Sequence, residues 1–165
     1  MRTKLGILLM IVIGLITGCS SDVSMEPVDI DAGTDSCDMC HMGIEDLASA
    51  SQVIMEDGTP KKFDDIGCML LYYQEHKDDV GVAYVPDWET GEWLKMEDAV
   101  FVQESSIETP MSYGIIAFSS EEKAQAFQEE RGGELYNGTE ITQLDVKALK
   151  ADGHGEHSAG DESHE

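Results

Sequence analysis

The chain has 165 residues, with 34 acidic against 10 basic side chains and a formal net charge of -24 at pH 7. Such acidity excludes nucleic acid as a partner, because a phosphate backbone would be repelled. It favours solubility and draws cations into the surrounding field, but marks no site by itself.

In chain order, Arg2 and Lys4 are followed by the uncharged run "LGILLMIVIGLI" from Leu5 to Ile16. The run has the length and flanks of a secretory signal and is short for a membrane span. It ends in "LITGC", where Ile16, Thr17 and Gly18 before Cys19 resemble a bacterial lipobox. Residues 1–18 are therefore predicted to be a lipoprotein signal peptide and Cys19 the lipid-bearing first residue of the mature chain. Diacylation plus an attached lipid gives lasting attachment, which one acyl chain does not. The mature protein is expected outside the cytoplasmic membrane, at the cell surface or in the periplasm, anchored by lipid. Without Arg2 and Lys4 it keeps 8 of the 10 basic residues against 34 acidic ones, a charge of -26.

After Cys19, "SSDVSMEPVDIDAGTDS" is polar and without helical or strand period, and residues 19–36 read as anchor and flexible tether. Next, "SQVIMEDGTPKKF" holds two apolar stretches around Asp57-Gly58, a hairpin signal in which Pro60 lengthens the loop. "DDIGCMLLYYQEHK" opens with Asp64 or Asp65 as N-cap, and Ile66, Met69, Leu70 and Tyr73 fall at i, i+3, i+4 and i+7, the buried stripe of a helix. "GVAYVP" is a strand closed by Pro86, and "DWETGEW" a turn rich in aromatic contact. The second half retraces these steps. "DAVFVQES" and "SYGIIAFS" read as strands, "SSEEKAQAFQEERGG" as a helix from Ser119 with Glu122 in capping-box position and Gly132-Gly133 as its stop, and "ELY" as a strand. "ITQLDVKALK" reads as a last short helix. Each half is thus strand, strand, helix, strand. The composition amounts to one small domain or two closely packed halves.

The chemistry concentrates in "CDMCHM". Cys37 and Cys40 form a C-x-x-C pair, Met39 and Met42 repeat the spacing, and His41 lies between. A thiol oxidoreductase would place such a pair at a helix start after a strand, whereas here a polar tether precedes it, and Asp38 opposes thiolate formation. Structural zinc wants four ligands, usually two spaced pairs. Beyond Cys37 and Cys40 there is only Cys68, which lies in an apolar helix and reads more simply as a small buried hydrophobe. Cu(I) is soft, tolerates two to four ligands and suits both thiolate and thioether sulfur. Thioethers neither need deprotonation nor form disulfides, which accounts for methionines in a loop facing an oxidising exterior.

The signal, the tether, "CDMCHM", "FDDIGCMLLYY" and "TPMSYGIIAFSSEEKAQAFQEERGG" together resemble the NosL family of copper-binding lipoproteins over about Ser36 to Leu149. The resemblance implies an α+β fold of two packed ββαβ units over residues 37–150, similar to the core of organomercurial lyase. It implies a Cu(I) metallochaperone, not an enzyme, whose partner is a copper-receiving apo-enzyme, nitrous oxide reductase. The family's ligand motif falls on Cys37, Met39, Cys40 and Met42, and Met111 in "TPMSYG" matches a methionine of the second half. Many relatives hold Gly where His41 stands, which leaves His41 as an added ligand or a polar loop residue. Alternatives of other classes are a thiol oxidoreductase that keeps copper ligands reduced and a carrier serving a haem-copper oxidase. The tail "ADGHGEHSAGDESHE", residues 151–165, carries His154, His157 and His164 among carboxylates and is expected to be disordered, either a loose capture segment or a solubilising end.

Overall fold

The computed structural model describes residues 23–152; the expected signal peptide, Cys19 and the tail from Gly153 onward lie outside them. Strands β1 (Ser51–Met55) and β2 (Pro60–Phe63) form the expected antiparallel hairpin, with Val53 opposite Lys61. Its turn is closed by Thr59 N–H donating to Asp57 Oδ1 at 2.9 Å, and Gly58 takes φ +83°, a conformation costly for residues with a Cβ. Helix α1 (Ile66–His76) is capped by Asp65, whose carboxylate accepts from Gly67 N at 2.7 Å. Ile66, Met69 and Leu70 are buried as the periodicity requires. Strand β3 (Val80–Pro86) returns antiparallel beside β1.

The second unit repeats the pattern with β5 (Val100–Gln103), β6 (Ile115–Phe118), helix α2 (Glu121–Arg131) and β7 (Glu134–Asn137). In both units the first strand is central, giving sheet orders β2-β1-β3 and β6-β5-β7. The α+β architecture of two ββαβ units is therefore present. The units are joined at the end of β3, where Asp87 bridges in parallel to Ala117 and Trp88 N donates to Ala117 O at 2.8 Å. Asp87 itself receives Glu89 N at 2.8 Å, Thr90 N at 3.2 Å and Ser119 N at 3.0 Å.

Three local expectations are corrected. The end of "DWETGEW" is not turn alone: after Asp87–Gly91 the chain enters β4 (Trp93–Lys95), which pairs with β3 as the fourth strand of the first sheet. The N-cap of α2 is Ser120 rather than Ser119, since it is the Ser120 hydroxyl that accepts Lys123 N, at 3.4 Å. The last helix is two short ones, α3 (Gly138–Ile141) and α4 (Val146–Asp152). An Asn137/Glu140 capping box fixes the start of α3, and the break between the two lets both Ile141 and Val146 turn into the core.

The expected flexible tether is also shorter than residues 19–36. From Val23 the chain forms a strap along the outer face of the first sheet. Side chains alternate across a strand, so Val53, Ala83 and Val85 enter the core beneath α1, while Gln52, Ile54 and Tyr84 point to the opposite face. All three are buried, and the strap covers Gln52 and Tyr84. Gln52 exchanges two hydrogen bonds with Val28, at 2.8 and 3.0 Å, and Tyr84 Oη donates to Met25 O at 2.9 Å. Lys62 Nζ reaches Asp29 O at 2.8 Å and Asp35 Oδ2 at 2.6 Å, a contact that holds the Asp35 carboxyl below its usual range.

Candidate metal centre

The strap delivers Cys37 to a tight loop. Cys37 N donates to Met42 O at 2.8 Å and His41 N to Cys37 O at 2.9 Å, while Ser36 bridges to Gly43. Asp38 docks this loop on the edge of β2: its N–H donates to Lys62 O at 2.8 Å, its carboxylate accepts Lys62 N at 2.8 Å, and Lys61 Nζ lies 3.1 Å away. The edge of β2 is thereby covered. Beyond β2 the chain passes Asp64, starts α1 at Asp65 and places Cys68 in the first helical turn.

The hairpin thus folds the start of α1 back onto the C-x-x-C loop. Ligand atoms of Cys37, Cys40, Asp64 and Cys68 all lie within 4.8 Å of one another. Cys37, Asp64 and Cys68 are buried, and Cys40 is half-buried. Cys40 Sγ sits 3.4 Å and 3.5 Å from the two Asp64 carboxylate oxygens. All three cysteines are free thiols.

The thiols are electrostatically unequal. Cys37 is pushed down to about 6, chiefly because Cys68 donates to it, with Cys40 N–H as a further donor at 3.4 Å, against the opposing effect of burial. Cys40 is pushed up to about 11, first by burial and then by the charge on Cys37 and Asp64. Cys68 is pushed up as the donor to Cys37 and by burial. Asp38 therefore does not prevent a thiolate at Cys37, because its charge is spent on Lys61 and the β2 backbone. The neighbouring donors thus favour the thiolate at Cys37 over those at Cys40 and Cys68.

A loop from the second unit closes over the same helix start. Asp65, fully buried, accepts Thr109 Oγ1 at 2.7 Å and Met111 N at 2.9 Å besides capping α1. Burial pushes its carboxyl up, and these donors pull it back. The buried Tyr113 packs on Gly67 so closely that a Cβ there would run into its ring. Met111, Met39 and Cys40 are partly buried against the core at this end of the molecule. Met42 is 53% exposed and His41 is exposed. Among the described residues, His41 (φ +63°) and Ser112 (φ +59°) are the non-glycine residues in the left-handed region. They lie in the two loops that carry the candidate sulfur ligands, where backbone strain is commonly held.

Cys37 and Cys40 are thus gathered at one place, Met39 is partly buried against the core, and Met111 is tied through its backbone N–H to the start of the helix that bears Cys68. Met42 and His41 stay outward, and the imidazole is not among the four clustered groups. Sequence reasoning left out Cys68 and Asp64. The available signal was position: a cysteine three residues past the helix cap, after a hairpin that reverses the chain, lies beside whatever precedes that hairpin.

A fold of two ββαβ units with three cysteine sulfurs and a carboxylate converging at one helix start defines an α+β protein with a candidate soft-metal site. The sequence profile of the NosL family matches residues 27–146, and the chain belongs to that family. The crystal structure of the copper chaperone NosL from Shewanella denitrificans is similar, with a TM-score of 0.64 and 26% identity over 73% of this chain and 98% of that one. No curated protein matches the sequence.

Proposed function

We propose that the protein is an extracytoplasmic, lipid-anchored Cu(I) carrier that hands copper to apo-nitrous oxide reductase during assembly of its copper centres. The observation that carries the reading is the convergence of Cys37, Cys40 and Cys68 within 4.8 Å, two of them shielded and one half-exposed. Thiolate sulfur in a site largely closed to water suits a soft monovalent ion. Met39, between the two loop cysteines in sequence, and Met111, whose N–H is bound to Asp65, are both half-buried and are the thioethers proposed to assist, since they need no deprotonation. Cys40 is the thiol an acceptor reaches first, so transfer proceeds by replacing Cys40, then the deeper ligands, one at a time. Met42 and His41, projecting at the rim, meet the incoming partner. Carriage rather than catalysis accords with the copper chaperone NosL to which the chain is similar.

Anaerobic titration with Cu(I) against a chromogenic chelator tests the binding. One ion per chain is expected, with affinity collapsing in Cys37→Ser with Cys40→Ser. Incubation of the loaded protein with the copper-free reductase, followed by the visible spectrum of its copper centres, tests delivery; no gain of spectrum would refute the assigned recipient and leave the binding standing. Truncation after Lys150 is expected to leave Cu(I) affinity unchanged.

A second reading, a thiol oxidoreductase, draws support from the split between Cys37, near 6, and Cys40, near 11. An oxidoreductase needs its activated thiol at the surface, however, and here that thiol is the 1% exposed Cys37. Rapid turnover of a dithiol substrate would favour this alternative.

A further inference from the structure

The strap runs lengthwise along the first sheet, and its two ends mark opposite poles of the domain. At one end Val23 lies against the β1–β2 turn, where a Cβ on Gly58 would stand 2.6 Å from Val23 Cγ1. Next, Met25 Sδ approaches Gly81 at the start of β3, and Val28 meets Gln52 in β1. At the far end Asp35 and Asp38 are bound by Lys61 and Lys62, and the cysteine loop follows at once. Between the turn and Asp64 lies β2, whose three steps from Pro60 to Phe63 alone span about 10 Å at 3.3 Å per residue. The pole where the described residues begin is therefore the one across β2 from the sulfur cluster.

Four residue steps separate Cys19 from Val23, and fully extended they reach about 14 Å. We infer that the β1–β2 turn is the membrane-facing pole, held next to the lipid headgroups, and that the metal centre is presented away from the bilayer with the second unit. The inference rests on Cys19 bearing the lipid, as in the functional proposal. Two further features of the turn agree with this occupant. Val23, 47% exposed, offers an apolar side chain next to the anchor. Glu56, Asp57 and Asp79 line a groove at the same pole, with Lys61, whose ammonium reaches Asp38, on its inner side, and the net negative charge resists sinking into an anionic surface. The pole accordingly stands on the headgroups without entering them. The strap, not a flexible leash, sets the orientation: a chain pinned from Val23 cannot turn its metal centre toward the membrane.

The test uses the lipidated full chain, labelled with nitrogen-15, in phospholipid nanodiscs that contain a gadolinium-chelating headgroup. Paramagnetic broadening of amide signals is expected to be strongest at Glu56–Thr59 and Val80–Gly81 and to fall severalfold toward Asp38–Met42 and Thr109–Ser112. Equal broadening at both poles, or the reverse gradient, would overturn the orientation. Inserting ten Gly and Ser residues between Ser21 and Asp22 is expected to flatten the gradient; a gradient that persists would show that surface contacts, not the short tether, set it, and would overturn the argument. Mass analysis showing no acyl group on Cys19 would overturn the inference together with the anchor, while Cu(I) titration of the cysteines would report separately on the metal site.

Discussion

Cys68→Ser is the most informative perturbation, because it separates a ligand from a packing residue at a position where both readings are physically sensible. Serine is nearly isosteric with cysteine, and its hydroxyl still donates to Cys37, so the Cys37 thiolate near 6 is retained while one sulfur donor is lost. Loss of a partner one layer outside a metal site costs 10–100-fold in affinity. Loss of a ligand should then cost about 100-fold or more, about 2.8 kcal/mol.

Proton counting sharpens the test. Ligand thiols must deprotonate to bind. Cys37 is already ionised above about 6, whereas Cys40 stays protonated to about 11 and Cys68 is pushed up as well. Three thiols less the one already ionised leaves two, so Cu(I) binding near neutral pH should release about two protons, and affinity should rise about a hundredfold per pH unit. In Cys68→Ser only Cys40 remains to deprotonate, giving about one proton and about a tenfold slope. Chelator competition across a pH series, with calorimetry in buffers of different ionisation enthalpy, reads both quantities. If Cys68→Ser lowered the urea midpoint but left affinity and proton count as in the native chain, Cys68 would be packing alone and the three-sulfur centre would be refuted.

Gly67→Ala should destabilise by about 1–3 kcal/mol in urea unfolding, the range for overpacking a filled core, because its methyl meets the Tyr113 ring; a stabilised variant would contradict that packing. Asp87 is buried, which raises its pKa, but the bonds from Ser119, Glu89 and Thr90 outweigh burial and hold its carboxyl below the usual carboxylate range. Its stabilisation is present above about pH 4 and is lost as pH falls through the lower folded value. Asp87→Asn should cost about 1–2 kcal/mol at neutral pH and flatten the acid limb of stability against pH, read by thermal melts in a buffer series. His41→Gly should relieve the left-handed strain and raise stability by about 0.5 kcal/mol or more, read by urea midpoint.

The parts of the fold legible in the sequence are those set by local pattern. The stripe from Ile66 to Tyr73, the Asp57-Gly58 turn and the Gly132 stop each follow from backbone chemistry within a few residues. The strap was not legible, because polar "SSDVSMEPVDIDAGTDS" has no period of its own. Its order comes from Gln52, Ile54 and Tyr84, outward faces that need cover, and only the assembled sheet shows that. Strand β4 likewise exists through pairing with β3 rather than through propensity. At the metal centre, the consecutive soft donors from Cys37 to Met42 announce themselves. Cys68 does not, since a cysteine among Met69, Leu70 and Leu71 has the composition of a core and becomes a donor only when the hairpin folds it back. Nor does spacing distinguish Met39, turned inward, from Met42, turned out.

The duplicated units differ at one telling position. Three residues past the helix cap the first holds Cys68 and the second Lys123, which pairs on the surface with Glu89 at 2.8 Å. A lysine there cannot receive a cation, so the structural twofold does not become a twofold of cargo. On the proposed reading each loaded chain carries one ion, and a recipient whose active site takes several would be visited repeatedly.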